Sequence, residues 1–138
     1  MAERNICLDT SVLIAFLKGR EPGASAIERA VKEHTCFVTA ITVYELLFGV
    51  ARAARRIGED ELLSGMTVLA FDNAAAVRAA IVHDDLVRRN QDIGVKDVLI
   101  AAICLTHATP LLSLNERHFL RVSGLKVETP ATFLASSV

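Results

Sequence analysis

Short apolar runs of strand length, each followed by a longer stretch of helical character, constrain this 138-residue chain more than any other feature. The runs are 5–9, 35–40, 67–71, 110–114 and 125–128. A near-continuous apolar strand is one buried on both faces, and strands joined through helices pair in parallel, because a parallel crossover needs a long connection. The intervening segments predict helices over 11–18, 24–33, Val43 to about Arg56, 59–64, Ala74 to about Asn90 and 97–107. A helical turn follows Asn115, and a short terminal helix ends at Val138. GREPG at 19–23 closes the first helix and Gly58 breaks the third. The expectation is an α/β fold: a mostly parallel sheet of four to five short strands, covered on both faces, in a single domain over 1–138.

Composition narrows the class. With 52% apolar and 22% charged residues the chain is globular, with an apolar surplus that suggests a large core or a partner interface. Its longest apolar run, VLIAAICL at 98–105, is too short to span a bilayer, and Asp9 interrupts the apolar N-terminus. A soluble, cytoplasmic protein with no membrane partner is expected. Cys7, Cys36 and Cys104 lack paired spacing and read as reduced core residues, not zinc ligands. A net charge of −1 gives no support for general nucleic-acid binding. The clusters Arg52, Arg55, Arg56 and Arg88, Arg89 read equally well as solvated helix faces.

Chemistry enters through NICLDTSVLI at 5–14, TVYELLFG at 42–49 and GVKDVLIAA at 94–102, which each set one acid in an apolar surround. A carboxylate there is costly to desolvate, and three that meet repel one another unless a cation joins them. Asp9 falls at the carboxyl end of the first strand, Glu45 opens the helix after the second, and Asp97 opens the helix leading to the fourth. Asn115 and Glu116 follow the fourth strand. Ligands of open parallel sheets bind outside this edge, so one rim can collect all of them around a shared divalent metal. Taken singly, each has a capping role available: Asp9 before a helix near Ser11, Thr42 to Glu45 as a capping box, Asp97 facing the helix dipole, Asn115 as an N-cap. Independent caps, however, need no common rim.

The stretches LDTSVLI, TVYELLFG and IGVKDVLIAA, followed by LLSLNERHF, resemble the PIN-domain ribonucleases, and among them the VapC-type toxins of toxin–antitoxin pairs, over nearly the whole chain. The resemblance implies a three-layer α/β/α PIN-like domain and an acidic core of Asp9, Glu45 and Asp97 that binds Mg²⁺ or Mn²⁺ and cleaves RNA. It implies hydrogen-bond donors around that core from Thr10 or Ser11 and from Ser113. Asn115 departs from it, standing where many relatives carry Asp, and Glu116 is the substitute at hand. A homodimer and a VapB-type antitoxin, whose helix lies in an apolar groove and whose basic side chain approaches the acids, are the implied partners. The alternative is a PIN-like domain that no longer cuts and acts as a protein- or RNA-binding module. Other enzyme classes lack parts. An aspartyl-nucleophile phosphatase wants a second Asp where Ser11 stands, no Gly-rich phosphate loop occurs, and His34, His83, His107 and His118 have no paired metal spacing. With no Trp and only Tyr44, base-stacking platforms are poorly supplied.

Overall fold

Residues 4–136 are described by the computed structural model of the chain. Its strands are β1 (Asn5–Leu8), β2 (Thr35–Thr39), β3 (Thr67–Leu69), β4 (Leu111–Leu112) and β5 (Val127–Glu128). The helices are α1 (Thr10–Leu17), α2 (Gly23–Glu33), α3 (Ala40–Ala53), α4 (Glu59–Ser64), α5 (Asn73–Arg88), α6 (Val95–Thr106), α7 (Glu116–Phe119) and α8 (Pro130–Ala135). The strands form one sheet in the order β3-β2-β1-β4-β5, and every pairing is parallel, where the sequence predicted a mostly parallel sheet.

Alternation along β1 divides the core. Ile6 and Leu8 join Val12, Leu13, Ile27 and Phe133 on one face, while Cys7 joins Val98, Ile100, Ile103, Cys104 and Phe119 on the other. The sheet is thus the middle of three layers, an α/β/α arrangement. The route out of β1 (α1 and α2) leaves over the first face, and the route out of adjacent β4 (α7) leaves over the second. Neighbouring parallel strands whose exits diverge open a crevice at their carboxyl ends.

Several boundaries move, each for a local reason. Helix α3 begins at Ala40, not Val43, because the Thr39 hydroxyl accepts the Thr42 N–H at 3.1 Å and caps it there. It stops at Ala53 with Ala54 in the left-handed region, short of the expected Arg56. Helix α6 starts at Val95, two residues before the expected Asp97, after Gly94 at φ 91°. The ladders of β3, β4 and β5 are shorter than the apolar runs that announce them, which extend past the paired positions. α8 closes with Ala135, and the expected terminus of that helix at Val138 lies outside the described residues. Arg56, Arg88 and Arg89 pair with Asp60, Asp84 and Asp85 one turn away, the solvated-face reading of those clusters. No helix among the described residues is long and apolar enough to cross a membrane.

Candidate active site

Asp9 follows β1 in extended conformation and sits in the crevice, its residue surface only 2% exposed. It occupies the N-cap position of α1, yet its side chain makes no capping bond, so the capping role does not account for it. Instead Oδ2 accepts the hydroxyl of Ser113 at 2.7 Å and that of Ser11 at 2.8 Å. Both hydroxyl oxygens in turn accept backbone amides, Ser11 from Leu114 at 3.0 Å and Ser113 from Asn115 at 2.9 Å. With their acceptor sides occupied, the two serines direct their protons to the carboxylate and knit the exits of β1 and β4 together. Burial pushes the Asp9 carboxyl above its ordinary range, the two hydroxyls pull it down, and the charge of Asp97 pushes it up.

Glu45 reaches the rim from the sixth position of α3. Because α3 is capped by Thr39, the expected capping box from Thr42 to Glu45 does not form and the Glu45 carboxylate remains outside the backbone ladder. Thr10 Oγ1 donates to Glu45 Oε1 at 2.8 Å and lies 3.2 Å from Thr42 Oγ1, which Thr39 Oγ1 reaches at 3.3 Å. Lys96 Nζ stands 4.0 Å from Glu45 Oε2. Asp97 projects from the first turn of α6, and its Oδ2 lies 3.0 Å from Nδ1 of His118 on α7. Five elements therefore deliver the acids and their partners: the exits of β1 and β4, the first half of α3, the start of α6, and α7.

The charge of Asp97 acts on Asp9, while Thr10, next to Asp9, donates to Glu45 and Lys96, next to Asp97, stands 4.0 Å from Glu45. Among the described residues no three or more His, Cys, Asp or Glu side chains stand together so as to hold a metal ion. The donor set still fits Mg²⁺ or Mn²⁺: these ions favour carboxylate oxygens and keep several waters, so they are held by one or two carboxylates rather than a full protein cage. A buried acid facing a second negative charge is the arrangement a divalent ion relieves. Thr10, Ser11 and Ser113 stand where the resemblance puts donors. Asn115 is exposed at the start of α7 and Glu116 half-buried beside it, and neither side chain hydrogen-bonds within the described residues. His118 and Lys96 are the rim residues that sequence reasoning left out. His118 carries no paired spacing, and its partner lies 21 positions back. Beside Glu45 a cleft of about 660 Å³ runs between α1 and α3, floored by Ile14, Leu17, Leu46 and Val50 with Lys18 and Arg55 at its edge.

Fold and acids together define a three-layer α/β protein with a buried carboxylate, Asp9, at the carboxyl edge of a parallel sheet. The PIN domain family model matches residues 6–125. Ribonuclease VapC1 of Rickettsia felis is 31% identical over 131 residues, covering 90% of this chain and 95% of that protein. The tRNA(fMet)-specific endonuclease VapC of Shigella flexneri is 29% identical over 126 residues, covering 88% and 94%. Among solved structures, VapBC2 from Rickettsia felis, bound to a DNA fragment from its promoter, aligns with a TM-score of 0.80 over 91% of this chain and 98% of that one, at 22% identity. VapBC-1 from nontypeable Haemophilus influenzae aligns at 0.79 over 92% and 98%, at 21% identity. The chain belongs to the PIN-domain family, and within it to the VapC ribonucleases.

Proposed function

We propose that this chain is a metal-dependent endoribonuclease toxin that hydrolyses RNA phosphodiester bonds in the cytoplasm and is neutralised by a VapB-type antitoxin. The observation that carries the reading is the buried Asp9 carboxylate, held by Ser11 and Ser113 and facing the charge of Asp97 in the crevice. Asp9 and Asp97 would hold the Mg²⁺ or Mn²⁺, directly or through water, and Glu45 would act on its bound water. When bound, such an ion would supply an activated water and offset phosphate charge. Thr10 fixes one oxygen of Glu45, which orients the other toward the rim, where it takes a proton from the attacking water. Ser11 and Ser113 keep Asp9 in one rotamer, so the ligand set needs no rearrangement when it fills. Asn115, whose backbone amide donates to Ser113, and Glu116 after it would meet substrate or a hydration water.

The partners follow from surface chemistry. The α1/α3 cleft ends beside Glu45, so an antitoxin segment lying in it brings a cation to the acids. Tyr44, Leu47 and Phe48 form an exposed apolar stripe on α3, with the rings of Tyr44 and Phe48 stacked at 5.8 Å, which supports a homodimer. The binding-module alternative rests on Asn115, a neutral side chain at the fourth position. Purified protein incubated with tRNA separates the two. Cleavage that requires Mn²⁺ or Mg²⁺, stops with a chelator and vanishes in Asp9→Asn and Asp97→Asn is the expected result. Binding without cleavage in both metals overturns it.

A further inference from the structure

We infer that His118 is a positioning residue for the metal site, holding the Asp97 carboxylate in its ligating orientation through an Nδ1–H···Oδ2 hydrogen bond; the inference rests on the metal-site reading of the acid rim. The bond is 3.0 Å long and joins α7 to the first turn of α6. An ionised carboxylate can only accept, so the ring nitrogen facing it carries the proton, and the Nε2 edge is turned away from Asp97.

Two features fit His118 to this task. Its neighbour Phe119 is fully buried in the core that also contains Val98 and Ile100 of α6, so the short α7 is anchored to the helix that carries Asp97. Each carboxylate of the rim is oriented by a different donor: Asp9 by two serines, Glu45 by Thr10, Asp97 by His118. Without the imidazole, Asp97 keeps its charge and loses its fixed rotamer, since it is the one acid of the three with no hydroxyl donor among the described residues. Partners that orient ligating carboxylates typically change metal affinity by about 10–100-fold when removed.

The test is Mn²⁺ binding by calorimetry at fixed pH on wild type, His118→Leu, His118→Gln, His118→Asn and Asp97→Asn, with thermal unfolding of each protein in chelator. Asn places its amide N–H near the position of Nδ1–H, whereas Gln extends its donor past Asp97. The expected result is a Mn²⁺ affinity about 10–100-fold weaker in His118→Leu and His118→Gln, largely restored in His118→Asn, with unfolding midpoints unchanged. Unchanged Mn²⁺ affinity in His118→Leu overturns the inference, as does equal weakening in Asn and Gln, which would assign the ring a packing role only. If His118→Leu does not fold, the Asn and Gln pair decides alone. Asp97→Asn separates the levels: if it binds Mn²⁺ like wild type the metal-site reading itself falls, whereas its loss beside an unaffected His118→Leu removes only the role of His118.

Discussion

Burying the Asp9 carboxylate costs folding free energy that two serine hydroxyls offset in part, and Asp97 adds repulsion. The consequence is a pH dependence of defined sign. Burial raises the folded-state value above the ordinary 3.8, so the native protein holds this proton more tightly than the unfolded chain. Stability is therefore fully present below the unfolded value and is lost as pH rises through the folded one. In chelator, Asp9→Asn should unfold at a higher temperature than wild type near about pH 7, with the gap closing toward about pH 4. Circular dichroism melts across that range check it, and a variant less stable than wild type near neutrality contradicts the cost assigned to Asp9. A second residue-level prediction concerns the fourth position. Asn115→Asp should tighten Mn²⁺ binding by adding a charged oxygen beside the rim, while Glu116→Gln should change it little if Glu116 only faces solvent. The reverse order in calorimetry makes Glu116 the working acid, and no effect from either removes the segment from the site. At this scale the three acids were legible, because a charge inside an apolar run signals its own cost. His118 was not, because its bond to Asp97 is long-range and on the surface, and leaves no local pattern.

Among the elements, the strand and helix order was legible from the alternation of apolar runs and helical segments, but the starts of the helices that carry the acids were not. Thr39 competes with Thr42 for the cap of α3, and both satisfy the local rule. What decides is that β2 pairs as far as Thr39, in register with Leu69, so the helix turns at the next residue. The consequence is functional, since it frees Glu45 for Thr10. At α6 the entry depends on Gly94, whose φ of 91° and ψ of 151° suit glycine alone. A Cβ there meets nothing within 4 Å, so Gly94→Ala carries a purely conformational penalty of about 1–3 kcal/mol. Urea unfolding should show that loss, and RNA cleavage should fall further than stability alone explains, because the residue sets the path into Lys96 and Asp97. An alanine variant as stable as wild type contradicts the strain argument.

For the whole molecule, net charge and composition said little about function, and the topology says more. The order β3-β2-β1-β4-β5 puts the chain's diverging exits at β1 and β4, and Asp9 and Ser113 sit just past those two strands. Thr10, next to Asp9, donates to Glu45, and the charge of Asp97 acts on Asp9. A common rim for these acids was expected from the sequence only as a possibility of the fold class; the donor network around Asp9 was not legible, because it links residues as far apart as Asp9 and Ser113. The apolar surplus has a place in the structure too, in the exposed stripe of α3 and the cleft between α1 and α3. The central claim is that Asp9 and Asp97 hold one catalytic ion. Anomalous X-ray scattering from a crystal grown with Mn²⁺ tests it most directly. The account predicts a single strong peak in the crevice, in contact with carboxylate oxygens of Asp9 and Asp97 directly or through one water; a saturated crystal with Mn²⁺ bound elsewhere, or with none in the crevice, contradicts it.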